Sequence, residues 1–333
     1  MIPLTARAQD QAVPVRRIAL VGGGHAARLH RDALGLRRDF AIEAVHDPDP
    51  PGPCAETWRR APTLEALVAE TGCDVVAVCT PPAAHAPVAA LALAAGKSVL
   101  IEKPVTPDAA SFSRLQANAA CADGIVYSAL HAAFGREVRW AAEQLSGLVD
   151  PGPLVRFRSE FTDPYLDTAG AVTPRARSLG GPWLDSAINA LSVIGRLTPL
   201  DGWAMTRVRV RASTSAQAVI ASLEGLGQAR GGLVTRWDGR PSRKTTLAEF
   251  ASGVRLSLDH MAQSARLEAG GRILTLRGAT APNPRLIEHY LALYDDFDAH
   301  LREGRGNLAQ ASAAHRLVHE GQERIAHERP LGA

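Results

Sequence analysis

Lysine is nearly missing from this chain: it occurs three times, as Lys97, Lys103 and Lys244, against 34 arginines. The 37 basic and 34 acidic residues are dispersed, and no stretch gathers five or six basic side chains, so the charge pattern carries no nucleic-acid footprint. Cysteine is scarce as well. Cys54, Cys73, Cys79 and Cys121 show neither CxxC spacing nor the density of a disulfide scaffold, and reduced thiols in a cytoplasmic protein are expected. No apolar run approaches membrane-spanning length, so no membrane partner is expected. The opening "MIPLTARAQDQAVPVRR" lacks the apolar core of a signal peptide, and residues 1–15 read as a flexible leader. His315 and His319 are spaced i, i+4 as metal ligands can be. A carboxylate-rich second motif is missing, so they read as an ordinary helix face and no metal is expected.

What is present suits a globular protein, with 46% hydrophobic and 21% charged residues. A length of 333 residues is long for one core and predicts two domains. The stretch "RIALVGGGHAARLHRDAL" reads as an apolar strand, a glycine turn and a helix. Gly22, Gly24 and Ala27 fit G-x-G-x-x-G/A, with the backbone of His25 and Ala26 inside the turn. There a dinucleotide pyrophosphate can sit on the helix N–H groups. A second strand, "AIEAVHDPDP", ends at Asp47, whose carboxylate can accept from the adenosine ribose hydroxyls and would repel a 2′-phosphate. NAD is favoured, with NADP possible. Strands and helices then alternate through "CDVVAVCTPPAAH", "APVAALALAAGK" and "SVLIEKP", which specifies a doubly wound parallel sheet. Its ligand crevice lies beyond the strand ends and takes in Thr80, Pro81, Pro82, His85, Glu102, Lys103 and Pro104.

Lys103 is singled out by the arginine bias. Arginine is always protonated, whereas a lysine can be tuned to release its proton, so a position that must titrate excludes arginine. Beyond residue 128 the pattern changes to period 2. "LVRFRSEF", "MTRVRVRAS", "AQAVIASLEG", "ARGGLVTRW", "KTTLAEFA", "VRLSLDH" and "RILTLRG" predict an antiparallel sheet with one covered face, followed by two closing helices. The expected division is a nucleotide-binding domain at 16–128 and a substrate-binding domain at 129–333, the last helices packing back on the first. "SLGGPWLDSAINALSVIGRL" reads as an amphipathic helix with Asp185 and Asn189 one turn apart on one face.

The combination of "GGGHAARLH", "VVAVCTPPAAH", "LAAGKSVLIEKP" and "GGPWLDSAINAL" resembles the glucose-fructose oxidoreductase, inositol dehydrogenase and MocA family over most of the chain. The resemblance implies a catalytic Lys103 beside nicotinamide and substrate, and a cis bond before Pro104. It also implies an open C-terminal sheet that supports a homo-oligomer, a dimer or tetramer. Family dehydrogenases commonly carry His where this chain has Asn189, and an amide positions but cannot titrate. Proton removal then falls to Lys103, depressed by the nicotinamide cation, with Asp185 orienting it. "LDSAINALSVIGRL" is similar to the D-galactose and L-arabinose 1-dehydrogenases of the family, and the parallel suggests His131 and Glu160 as substrate ligands. Trp183 offers either an apolar face to a sugar ring or a core contact. Arg177 either binds a substrate carboxylate or pairs with Asp163 or Asp167 at the surface. The expected function is oxidation of an aldopyranose at C1 to its lactone with NAD(P). The alternatives are another sugar carbon, a cyclitol or a keto-sugar, a cofactor-recycling glycosidase, or a sensor that binds dinucleotide without turnover.

Overall fold

The computed structural model describes residues 15–48, 58–70, 72–148, 150–213, 216–238, 240–278 and 282–327. The leader expected at residues 1–15 falls outside them except for Val15, as does Cys54. The first half runs β1 (Arg16–Val21), α1 (His25–Leu34), β2 (Phe40–His46), β3 (Arg59–Arg60), α2 (Leu64–Glu70), β4 (Val75–Val78), α3 (Pro82–Ala94), β5 (Ser98–Glu102), α4 (Ala109–Ala120) and β6 (Val126–Ala129). The six strands form one parallel sheet in the order β3-β2-β1-β4-β5-β6. Its inner strands carry buried apolar runs, Ile18–Val21, Val75–Val78 and Val99–Ile101, because both faces are covered there, while β3 at the edge is two exposed arginines. Ile18 and Leu20 enter one core and Ala19 and Val21 the other. The strand order reverses between β1 and β4, which opens a ligand crevice at their carboxyl ends.

After α5 (Arg136–Ser146) comes β7 (Leu154–Asp163), then α6 (Gly181–Leu197), and then β8 (Ala204–Ser213), β9 (Ala216–Glu224), β10 (Arg230–Asp238), β11 (Arg243–Phe250), β12 (Arg255–Asp259), β13 (Ser264–Ala269) and β14 (Arg272–Leu276). These eight strands form a sheet in the order β14-β13-β12-β11-β7-β10-β9-β8, antiparallel except where β10 meets β7. The period-2 reading holds well on β12, where Leu256 and Leu258 are buried and Arg255 and Ser257 exposed. Strand β13, "SARLEA", is missing from the expected set because alanine and glutamate weaken its strand signal. One face of the sheet packs on α5, α6 and α8 (Leu308–His327), and on the other Arg158, Leu247 and Ser257 are exposed.

Helix α6 corrects its sequence reading. Every residue from Pro182 to Ile194 is buried, so it is a helix enclosed on all sides rather than an amphipathic one. Helix α7 (Arg285–Glu303) leaves the second sheet and packs on α1, placing Ile287, Tyr290, Leu293, Tyr294 and Phe297 in the core of the first sheet. The α8 histidines are buried ties. His315 Nε2 accepts from the Val105 N–H at 3.1 Å, and His319 Nε2 lies 3.1 Å from the Thr106 carbonyl, so α8 grips the segment that follows Lys103. The peptide bond between Lys103 and Pro104 is cis.

The tightest contact of α8 is on α6. Gly321 lies against the indole of Trp183, whose Nε1 donates to the Val318 carbonyl at 2.8 Å, and a Cβ at position 321 would overlap the ring. Gly321→Ala is therefore expected to lower stability by about 1–3 kcal/mol through overpacking. The check is the midpoint of denaturant unfolding; an unchanged midpoint would show that the helices separate freely.

Candidate active site

Strand β5 ends at Glu102 and delivers Lys103 to the crevice; α6 delivers Asp185 from the other side. Lys103 Nζ donates to Asp185 Oδ1 at 2.7 Å and to the Asp185 carbonyl at 3.0 Å. The two side chains are only 12% and 8% exposed, so neither charge is well hydrated and each is held by the other. Burial pulls the Lys103 ammonium toward neutrality, but the Asp185 carboxylate outweighs it and raises the lysine above its ordinary range. The sequence reading expects depression by a cationic ring; the partner seen here is an anion, and the direction is upward. Burial works against the Asp185 carboxylate too, and Lys103 carries it below its usual value. The glycine pair before α6 has a steric reason: Gly180 and Gly181 take φ of 74° and 93°, and a Cβ on Gly180 would meet Leu184 at 2.7 Å.

A second ion pair continues from the first. Ser186 Oγ donates toward Asp185 Oδ2 at 3.4 Å and Asp163 Oδ2 at 3.2 Å, and Asp163 Oδ1 pairs with Lys244 Nζ at 2.8 Å. Lys103, Asp185, Ser186, Asp163 and Lys244 thus form one buried polar chain. Lys244 escapes the sequence reading, although the signal was available, since the lysine scarcity that marks Lys103 marks Lys244 equally. Asn189 Nδ2 donates to the Asp185 carbonyl at 3.2 Å, and its Oδ1 is buried without a partner among the described residues. His131 stacks on Tyr290 at 5.5 Å and lines the same small cavity as Asn189. Burial pushes its imidazole down to about 3, so it is neutral at neutral pH.

Five expected site residues stand elsewhere. Glu102 turns away from the crevice: buried, it accepts from Tyr290 Oη, from the Lys103 N–H at 3.1 Å and from His30 Nε2 at 3.1 Å. Burial opposes its charge, but His30 above all the other partners brings the carboxyl down to about 2. Its side chain supports the backbone of Lys103. His85 is 1% exposed, with Nδ1 and Nε2 against the Pro104 and Thr80 carbonyls, and binds two turns together. Trp183 is a core contact, buried against α8. Glu160 has the wrong strand parity, because Phe161 and Asp163 face the cavity and Lys244 while successive side chains alternate. Arg177 is exposed, and the carboxylates expected to pair with it are engaged elsewhere, Asp163 with Lys244 and Asp167 with the Ala169 and Ala171 N–H groups.

The glycine turn fits a dinucleotide. Gly22 takes φ +92°, and a Cβ there would stand 2.9 Å from the Cys79 carbonyl oxygen. Gly24 is the N-cap of α1, with open space where a Cβ would be, no side-chain cap and no acidic residue in the first turn. The N–H groups of His25, Ala26 and Ala27 open α1 at this point. Asp47 follows β2 and accepts from the Gly23 N–H; Gly23 itself is absent from the expected set. Thr80 Oγ1 is buried without a partner among the described residues, just before Pro81 and Pro82 start α3. A wider cleft lined by Arg139, Arg196, His300 and Asn307 includes neither Lys103 nor Asp185 nor any of these glycines, so chemistry rather than size picks out the site.

Comparison with known proteins agrees with this geometry. Residues 16–130 match the GFO_IDH_MocA model, described as an oxidoreductase family with an NAD-binding Rossmann fold. Galactose 1-dehydrogenase of Pseudomonas fluorescens is 29% identical over 211 residues, 62% of this chain and 64% of that protein. An inositol 2-dehydrogenase of Corynebacterium glutamicum is 33% identical over 108 residues, 30% of this chain and 31% of that protein. The chain therefore spans less than two thirds of the length of the curated relatives it matches. A levoglucosan dehydrogenase structure, in complex with NADH and L-sorbose, shares the fold at a TM-score of 0.78 with 14% identity, covering 94% of this chain and 97% of that one. The motifs, the two sheets and the match over residues 16–130 agree: the first sheet and its helices are similar to the NAD-binding part of the Gfo/Idh/MocA oxidoreductases.

Proposed function

We propose that the protein is an NAD(P)-dependent dehydrogenase that oxidises C1 of an aldopyranose to the lactone. The observation that carries the reading is the Lys103–Asp185 pair at 2.7 Å, buried where the crevice of the first sheet meets the second. When bound, the dinucleotide supplies the hydride acceptor. Gly22, Gly24, the first N–H groups of α1 and Asp47 hold it, and the Asp47 carboxylate favours NAD over NADP. Lys103 Nζ in its neutral form takes the proton of the anomeric hydroxyl. Asp185 orients Nζ and steadies the ammonium that results. Asn189 Oδ1 accepts from a neighbouring hydroxyl, and His131, neutral, offers a hydrogen bond without competing for the proton. The anomeric hydroxyl is more acidic than an ordinary alcohol, which suits a site whose position 189 cannot titrate. The relative named galactose 1-dehydrogenase supports the choice of carbon.

One observation favours a second reading. Asp185 keeps Lys103 protonated at neutral pH, and an ammonium is the form that donates a proton to a carbonyl, as a keto-sugar reductase requires. We infer further that the open face of the second sheet, where Arg158, Leu247 and Ser257 are exposed, pairs with another copy of the chain.

Lys103→Met is expected to lower kcat by about 10²–10⁴-fold, the usual contribution of a positioned acid or base, while the protein still binds NAD. NADH absorbance with a panel of aldoses, uronates and inositols is the measurement; wild-type protein that turns over none of them would remove the dehydrogenase reading. Asp185→Asn takes away the anion that raises Lys103 and leaves burial, which lowers it. The rising alkaline limb of kcat/KM for sugar oxidation is thus expected to move to lower pH. A limb that stays in place would take the proton-transfer role away from Lys103.

A further inference from the structure

No step of the proposed oxidation uses Lys244, although its placement is as constrained as that of Lys103. Strand β11 carries it beside β7, and its side chain is 14% exposed. Its Nζ pairs with Asp163 Oδ1 at 2.8 Å and lies 5.8 Å from the centre of the Phe161 ring. The other oxygen of Asp163 accepts from Ser186 Oγ at 3.2 Å, and the same hydroxyl lies 3.4 Å from Asp185 Oδ2. One serine proton therefore serves two carboxylates, each of which has its own lysine at the far end. Asp163 and Asp185 are both 6% exposed. Like charges this close together and withdrawn from water repel each other unless cations hold them.

Charge counting shows what the second lysine does. With Lys103 and Lys244 protonated, two positive charges balance the two carboxylates and the cluster is neutral. A base gives this balance up. Once Lys103 is neutral, Asp185 has lost the cation that adjoins it and the cluster carries one net negative charge; without Lys244 it would carry two. The field of Lys244 reaches Asp185. Burial opposes that carboxylate, Lys103 counters the burial most strongly and Lys244 adds to the effect, so the carboxyl stays below its usual range. Other groups face the two lysines: Glu102 and Tyr165 act on Lys103, the neighbouring His131 is neutral, and Arg285 feels Asp163. None of them joins the side-chain contacts that run from Lys103 to Lys244.

We propose that Lys244 is a positioning residue for the acid–base step: through Asp163 and Ser186 it compensates the negative charge left in the cluster when Lys103 releases its proton. The released proton leaves to solvent and Lys244 keeps its own. This deepens the dehydrogenase reading and rests on it only for the use of Lys103 as the base; the coupling between the two lysines does not depend on turnover.

The test reads the Lys103 amine itself, which a chain with three lysines makes practicable. Acetic anhydride labels neutral amines, so the labelling rate of Lys103 at a fixed, mildly alkaline pH reports its unprotonated fraction without any substrate. Peptide mass spectrometry follows the rate, normalised to Lys97, which stands outside the cluster. Lys244→Met is expected to slow the labelling by about 3–10-fold and Asp163→Asn to speed it by a similar factor, the effect of a charge slightly beyond direct contact. In the double variant the charges cancel again, and the rate is expected to return to within about twofold of the wild type. Lys244→Arg keeps the charge and should keep the rate. Loss of structure would instead move both single variants in one direction and the double variant further. The proposal is overturned if the single variants shift the rate in the same direction, if neither shifts it, or if the double variant keeps the shift of Lys244→Met. Sugar oxidation is assayed on the same proteins, where the alkaline limb of kcat/KM should move up in Lys244→Met and down in Asp163→Asn. Opposed labelling shifts in a protein whose wild type forms no NADH would sink the dehydrogenase reading and leave the coupling standing.

Discussion

The ion pair between Lys103 and Asp185 is the constraint to which the rest of the structure answers. Two charges with side chains 12% and 8% exposed have given up most of their hydration, and their attraction offsets that loss only while the geometry is held. Removing one partner of such a pair costs about 3–5 kcal/mol, because the other is left buried and uncompensated. Much of the architecture serves to hold it. The glycine pair at 180 and 181 starts α6 at the right point, α6 is enclosed on every side, and Ser186 couples the pair to Asp163 and Lys244. The two sheets are thereby fixed to each other through polar groups at the place where the crevice of the first meets the second.

Glu102 illustrates a division of labour between adjacent residues. It precedes Lys103 directly, but its carboxylate faces inward, where His30, Tyr290 and the Lys103 N–H surround it. His85 and the α8 histidines do comparable work on the turn that follows, gripping Thr80, Pro104, Val105 and Thr106 by their backbone groups. A side chain on an unsupported loop would drift; this loop is anchored from three directions.

The first sheet was legible because its signals are local: a strand, three glycines and an uncapped helix follow one another between Arg16 and Leu34, and Asp47 directly follows the next strand. Lys103 stands out through an odd composition, and the helical spacing of Asp185 and Asn189 takes its meaning from the family resemblance. The failures have equally plain causes. Trp183 and Asp185 are two positions apart on a helix, which turns them to opposite sides. Glu160 shows that period 2 reveals two faces of a strand but not which of them meets the ligand. Glu102 and His85 lie on segments that do border the crevice, and only packing decides that they point inward. Lys244 comes from β11, far from the motifs in sequence, and no spacing connects it to them; the topology does.

Helix α7 begins with Arg285 beside the small cavity that Asn189 and His131 line and continues into the core of the first sheet, where Tyr290, Tyr294 and Phe297 complete the packing around α1 and β1. The unit that shares a hydrophobic core is consequently not the unit that is contiguous in sequence. A fragment cut after residue 130 would retain every glycine of the nucleotide turn, yet it would expose one side of its own interior and leave His30 and Glu102 without their tyrosines. For this chain the nucleotide half is a module by descent and not by folding.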